Sequence, residues 1–234
     1  MRQRWLRFLL AVVGGAGLVV ALIGAGRWAR VLLDARQHYD VAVAEIDVAP
    51  PPGIDRQRFL SEVQYLGNLP ERVSGMDPAM VLRVAAAFAA HPWVESVETV
   101  SLRSADGPRA RLRLRSPVLA IHDRAVDRHG VLLPAGTSIE GLIAFHGKTE
   151  ADKGVAGAPC ADPDVVRAAH VVNLLSPFQD QLDLKDVRPE GGGFALSGRV
   201  HITWRSGGDE SQRIAQLRER LAKKPLPERI DLNQ

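Results

Sequence analysis

The sequence predicts an α+β protein, an apolar segment followed by two small units that mix strands with amphipathic helices. Three observations lead there. Phe8 to Gly26 is a run of 19 residues without a charged side chain. Beyond it, apolar residues recur at helical spacing in four stretches, three of them opened by an aspartate. Between those stretches lie short segments of alternating polarity, bounded by Pro, Gly and Asp, which read as strands.

Composition sets the frame. The chain has 234 residues, 46% hydrophobic and 24% charged, with 21 Gly, 15 Pro and one Cys. That is a globular composition, and it excludes disordered, collagen-like and disulfide-stapled classes. Cys160 stands alone and cannot close an internal disulfide. Thirty Lys and Arg against 27 Asp and Glu give a net charge of +3. Arg2, Arg4 and Arg7 precede the apolar run and Arg27, Arg30 and Arg36 follow it, so the surplus points to a membrane rather than to nucleic acid.

As a helix, Phe8 to Gly26 spans roughly 28 Å, close to the thickness of a bilayer's hydrocarbon core. A signal peptide has a shorter apolar core, so the run is read as an uncleaved anchor. The expected division is a cytoplasmic tail over 1–7, a transmembrane helix over 8–26, a juxtamembrane helical linker over 27–39, and folded units over 40–115 and 116–234 outside the membrane. The arginine count is nearly tied across the run, so this orientation rests on the short tail and the large body.

In the first unit, Val41, Val43, Ile46 and Val48 read as a strand that Pro50-Pro51-Pro52-Gly53 stops, because proline offers no amide to a ladder. Asp55 caps a helix with Phe59, Leu60, Val63 and Leu66 on one face, and Gly67 is expected to end it in the left-handed conformation. Asp77-Pro78 opens a second helix, which ends before His91-Pro92. Trp93 to Val100 reads as a strand. Arg109 to Arg115 then alternates, with Ala110, Leu112 and Leu114 inward and Arg109, Arg111, Arg113 and Arg115 outward. The order is β-α-α-β-β, two helices on one face of a three-stranded sheet.

The second unit starts with short strands at Val118 to His122, Ala125 to Asp127, Val131 to Leu133 and Leu142 to Phe145. Gly147 to Pro159 reads as an exposed loop. Asp162-Pro163 begins a helix through Leu175. Leu182 to Val187, Gly193 to Leu196 and Val200 to Trp204 form a meander around the turn Glu190-Gly191-Gly192. Ile214, Leu217 and Leu221 mark a last helix, and Arg229-Ile230-Asp231-Leu232 a terminal strand.

The junction His91-Pro92-Trp93-Val94-Glu95-Ser96-Val97, the segment Arg115-Ser116-Pro117-Val118 and the hairpin Val126-Asp127-Arg128-His129-Gly130 together resemble the bacterial cell-division proteins FtsQ and DivIB. The resemblance implies a POTRA-like domain over 40–115 and a mixed β-domain with two helices over 116–234. It also implies a non-enzymatic, single-span scaffold of the inner membrane, with its bulk in the periplasm. Sheet edges of both domains would bind other division proteins, and the terminal strand, Arg229, Ile230, Asp231, Leu232 and Asn233, would take up a strand from a membrane-anchored partner of the FtsB or FtsL kind. The family continues that strand with Arg-Tyr, where this chain has Asn233-Gln234. A POTRA-bearing chaperone or transport accessory uses the same edge chemistry for other clients, and an anchored extracytoplasmic enzyme is the remaining class.

Searched for chemistry, the sequence offers little. No Gly-x-Ser-x-Gly, His-Glu-x-x-His or phosphate-loop pattern occurs. His122, Asp123, Asp127 and His129 are a compact group of metal-ligand types, but strand alternation sends the first two to opposite faces. Cys160 has no basic neighbour to activate it. No cofactor, metal or small-molecule substrate is therefore expected. Arg109, Arg111, Arg113 and Arg115 form a stripe able to face an anionic surface or an acidic partner, although a solvated face is the plainer reading. Trp93 is expected to plug the space between helix and sheet.

Overall fold

The structure is a computed structural model that describes residues 21–28, 40–149, 153–205, 207–222 and 227–232. Residues 21–28 are helical. Most of the expected membrane span, the tail over 1–7 and nearly all of the linker lie outside the described residues. Among those that are described, no helix is long and apolar enough to cross a membrane.

The first unit runs β1 (Asp40–Ala42), a 3-10 turn (Val43–Glu45), α1 (Arg56–Leu66), β2 (Arg72–Ser74), α2 (Pro78–Ala89), β3 (Val94–Ser101) and β4 (Arg109–Leu114). Asp55 and Asp77 cap α1 and α2 as the sequence predicts, accepting hydrogen bonds from the Arg58 and Ala79 amides. The first strand is shorter than expected. Only β1 pairs, antiparallel to β2, and the chain then turns so that Val43 and Ile46 are both buried. Their spacing is the period of a 3-10 turn, which places residues three apart on one side. The strand's continuation survives as a single parallel bridge from Asp47 to Arg109. Thus the expected three-stranded sheet is the β3–β4 ladder plus one bridge.

Gly67 ends α1, but in the right-handed region; Asn68 takes the left-handed conformation instead. Close packing explains the glycine, since a Cβ there would lie 2.3 Å from the Ala87 Cβ of α2. Phe59 and Phe88 meet across the two helices with ring centroids 6.0 Å apart, within a core that includes Ile46, Leu60, Val63 and Val84. Burying each of these large side chains stabilises the fold by about 1.5–3 kcal/mol.

The second unit contains β5 (Pro117–Ile121), β6 (Arg124–Asp127), β7 (Ile143–Phe145), α3 (Pro163–Leu175), the short α4 (Gln179–Leu182), β8 (Asp186–Glu190), β9 (Gly193–Ser197), β10 (His201–Arg205), α5 (Glu210–Leu221) and β11 (Arg229–Leu232). Seven strands form one mixed sheet in the order β11-β10-β9-β8-β7-β5-β6. One core holds Val165, Ala169 and Val172 of α3, Leu217 and Leu221 of α5, and Phe194, Ile202, Trp204, Ile230 and Leu232 of the sheet. Both helices therefore cover the same face.

Three expectations shift here. Leu182 is the end of α4 rather than a strand residue, Asp183 follows in the left-handed conformation, and the meander starts at Asp186. His122 and Asp123 are the turn between β5 and β6, with φ positive at His122, and do not extend a strand. The end of the loop expected over 147–159 is ordered against the β6 hairpin: Leu132 N–H donates to Ala158 O, and Gly157 N–H and Cys160 N–H donate to Leu132 O and Gly130 O.

Candidate functional site

The two ends of the seven-stranded sheet differ. At the β6 end the chain covers its own edge. Leu133 N–H donates to Ala125 O, Asp127 N–H donates to Val131 O, and residues 157–160 add a further layer of backbone hydrogen bonds outside Leu132. At the other end, β11 pairs with β10 in parallel, and among the described residues nothing pairs with its outer side. A row of unpaired backbone groups is a template for another strand.

Register decides which groups are free. His201 N–H donates to Glu228 O. In a parallel ladder the bonds then alternate, so Ile230 and Leu232 point their backbone groups inward to β10, and Arg229 and Asp231 turn theirs outward. The side chains support this arrangement. Ile230 and Leu232 are fully buried, and Arg229 and Asp231 are exposed. On the sheet face away from the helices, the Asp231 carboxyl is held below its usual range, chiefly by the Thr203 hydroxyl and also by Arg229. Of the residues expected to meet a partner, Arg229, Ile230, Asp231 and Leu232 lie in this strand; Asn233 lies outside the described residues.

Among the described residues the first unit has a second free edge. β3 pairs with β4 on one side only. That ladder carries register shifts between Val94 and Ser96 and between Val97 and Thr99. Such bulges twist an edge away from a straight incoming strand, whereas the β10–β11 register is unbroken.

Of the arginine stripe, Arg111 and Arg113 are exposed, Arg109 is half-buried and Arg115 is covered. Arg109 donates to the Ser104 hydroxyl and to Asp106, at 2.7 Å from the carboxylate. Arg113 lies 3.6 Å from Glu98. Arg115 departs most from expectation: its guanidinium is 15% exposed and donates to Asp127, 1% exposed, at 2.6 Å. The alternation that points Arg115 outward is correct, but what lies outward there is the second unit.

That junction has a second ion pair and an apolar plug. Arg128, in the β6 hairpin, pairs with Glu95 of β3, and His129 lies 3.3 Å from the same carboxylate. Burial opposes ionisation of Glu95, but these two partners together keep its carboxyl below the usual range. Trp93 packs with Ala125, Leu133, Ile139 and Leu142. It therefore plugs the space between the two units, not the space between helix and sheet of the first. The His91 ring is fixed beside it. Trp93 N–H donates to Nδ1, which leaves the proton on Nε2 to face Glu62 at 3.1 Å. Both ring nitrogens are thus engaged. The hydrogen bond from His91 is the largest cause holding the Glu62 carboxyl below its usual range.

A groove of about 830 Å³ follows this junction, walled by Tyr65 and Leu66 of α1, the Pro52-Gly53-Ile54 turn and the segment Pro134–Ser138. Asp127, considered above as a ligand type, is committed to Arg115 and to the His129 and Val131 amides, 2.8 and 2.9 Å away. Among the described residues no group of three metal-ligating side chains converges. Burial raises the Cys160 thiol above its usual range, consistent with a packing role.

One charged residue escaped the sequence reading. Arg213 occupies the buried stripe of α5 with Leu217 and Leu221. Its i, i+4 spacing from Leu217 was the available signal. Compared with known proteins, the chain matches no family model and no curated protein aligns with it.

Proposed function

We propose that this protein is a non-enzymatic scaffold of the FtsQ type, which captures a strand from another membrane-anchored division protein at the outer side of β11. One observation carries the reading: the seven-stranded sheet closes one edge with its own chain and, among the described residues, leaves the other open, unbulged and backed by buried side chains. Affinity at such an edge comes from main-chain hydrogen bonds, with alternate side chains setting selectivity. Arg229 and Asp231 supply the free backbone groups, and their exposed side chains flank that edge. The resemblance in Pro92-Trp93-Val94, Arg115-x-Pro117-Val118 and Val126-Asp127-x-x-Gly130 supports the choice of family. The Arg-flanked apolar run over 8–26 supports a single-span anchor, with the folded units outside the cytoplasm.

Register selects the test. Leu232 is unsuitable for proline, because its amide bonds inward and its side chain fills the core. Asp231→Pro removes an outward amide at an edge position where proline is tolerated. Asp231→Ala removes the same carboxylate and keeps the amide. Asp231→Pro is expected to fold, by circular dichroism, and to lose co-purification of FtsB- or FtsL-like partners from membranes, while Asp231→Ala retains it. Undiminished partner recovery with folded Asp231→Pro would overturn the proposal.

A further inference from the structure

α3 and α5 lie on the same face of the sheet but leave a cleft of about 370 Å³ between them. Its floor is Phe194 of β9 and Trp204 of β10, directly paired across the ladder. Its walls are Val166 and Val171 of α3 with Arg167 and His170 on one side, and Arg213 and Glu210 of α5 on the other. Arg128 and His129 of the β6 hairpin complete the rim.

Among the described residues, each basic side chain around this cleft except Arg213 lies beside a carboxylate. Arg128 and His129 share Glu95, Arg167 pairs with Asp164, and His170 Nε2 lies 3.0 Å from Glu210. Arg213 has no carboxylate among the described residues. It is 4% exposed, one Nη donates to Arg205 O at 2.6 Å, and its Nε is buried with no hydrogen-bond partner. The guanidinium lies 5.3 Å from the Trp204 ring centre, and the turn at Gly208 passes over it so closely that a Cβ there would sit 2.8 Å from Nη2.

A buried cation without a counter-ion is costly, and a leucine or methionine at this stripe position would pack without that cost. The arrangement makes sense if an anion completes it. We propose that this cleft binds a small organic oxyanion, a carboxylate or phosphate on an apolar, preferably aromatic, body. The oxyanion is attracted by Arg213 and reaches Arg167, whose guanidinium already sits 6.0 Å from the Phe194 ring centre. The body lies on Phe194 and Trp204. Planar guanidinium groups suit oxyanions because they offer parallel donors. The proposal stands independently of the strand-capture reading, since α5 and the cleft lie on the helix-covered face and do not use the outer side of β11.

The test titrates phenyl phosphate into the full-length protein, followed by tryptophan fluorescence and calorimetry, with Arg167→Gln, Arg213→Met and Arg111→Gln beside the wild type. Arg111 is an exposed residue of β4, remote in sequence from the cleft, and controls for net charge. Wild type and Arg111→Gln are expected to bind saturably, and Arg167→Gln about tenfold more weakly, as loss of a charge-assisted contact implies. Arg213→Met is expected to lose binding while melting no lower than wild type. If that variant fails to fold, Arg167→Gln carries the test alone. Competition by inorganic phosphate identifies a soluble ligand, and competition only by phosphatidic-acid vesicles identifies a lipid headgroup; either supports the site. No saturation up to about 1 mM phenyl phosphate, equal affinity in Arg167→Gln, or equal weakening in Arg111→Gln overturns it.

Discussion

Asp127 gives the sharpest test of how the two units are joined. Its Oδ2 accepts from Arg115 at 2.6 Å, and its Oδ1 accepts from the His129 and Val131 amides. The carboxylate is 1% exposed and the guanidinium 15%. Among the described residues Arg115 Nε is already buried without a partner and Asp127 is the carboxylate paired with it, so Asp127→Ala leaves this cation uncompensated. Removing one partner of a buried pair costs about 3–5 kcal/mol. The Val131 amide, also buried, adds about 1–3 kcal/mol when it loses its acceptor. A loss of about 5 kcal/mol is therefore expected, a large part of the roughly 5–15 kcal/mol that holds a domain folded.

Asp127→Asn keeps an oxygen for the two amides and removes only the charge, so about 2–3 kcal/mol is expected. Arg115→Met should be costly alone, because it strands the carboxylate. Combined with Asp127→Asn it should cost less than the sum of the two, since no buried charge then remains. The assay is denaturant unfolding of Asp127→Ala and of the four proteins in this cycle, followed by circular dichroism and by tryptophan fluorescence, to which Trp93 at the junction contributes. A cost below about 1 kcal/mol for Asp127→Ala, typical of a surface substitution, or a coupling within about 0.5 kcal/mol of additivity, would show that the Arg115–Asp127 pair does not hold the units together.

Two further outcomes follow from the same region. Gly130 has φ +71° and a Cβ there would lie 2.7 Å from Val166 Cγ2 and 2.8 Å from its Cα; Gly130→Ala should cost about 2–4 kcal/mol from backbone strain and overpacking, read as a shifted denaturant midpoint. Glu62, held below the usual carboxylate range by His91, binds its proton at lower pH in the folded protein than in the unfolded chain. Its contribution to stability is complete above about pH 4.3 and disappears as the pH falls through the lower folded value. Glu62 is more than a third exposed, so solvent screening keeps that contribution small. Glu62→Gln should flatten the midpoint's pH dependence over that window, and an unchanged slope would count against the His91 contact.

Local rules made some elements legible and misled on others. The starts of α1, α2 and α3 were readable because an aspartate cap acts within three residues and needs no tertiary partner. β2 was not, since Arg72-Val73-Ser74 is too short to show a period. Leu182 and Leu184 are both buried and two apart, which imitates a strand, yet the first closes a helical turn and the chain reverses at Asp183. The partner-strand candidate was legible as an alternating segment. That its outer side is free, and that Asp231 rather than Leu232 carries a free amide, depends on the parallel register with β10. The i, i+4 spacing from Leu217 places Arg213 on the apolar stripe of its helix, but whether an arginine there is covered or reaches solvent depends on the sheet and loop packed against it.

The three sequence motifs behind the resemblance, at residues 91–97, 115–118 and 126–130, meet in space. Trp93 plugs the junction, Arg115 enters it from the end of β4, and Asp127 and Arg128 answer from the β6 hairpin. Gly130 is glycine because α3 packs directly on that hairpin. The motifs thus encode the attachment of one unit to the other, which explains why none of them looks like an active site. β6, at this junction, and β11, at the open edge, are the two ends of the seven-stranded sheet. Six strand spacings separate them, roughly 29 Å. On the proposed reading, strand addition at β11 would leave the junction and the first unit free, and a buried junction that fixes the two units relative to each other would hold a second partner at a defined separation from the first. Substitutions at Asp127 should then change the geometry between partners without abolishing capture at β11, whereas Asp231→Pro should abolish capture and leave the junction intact.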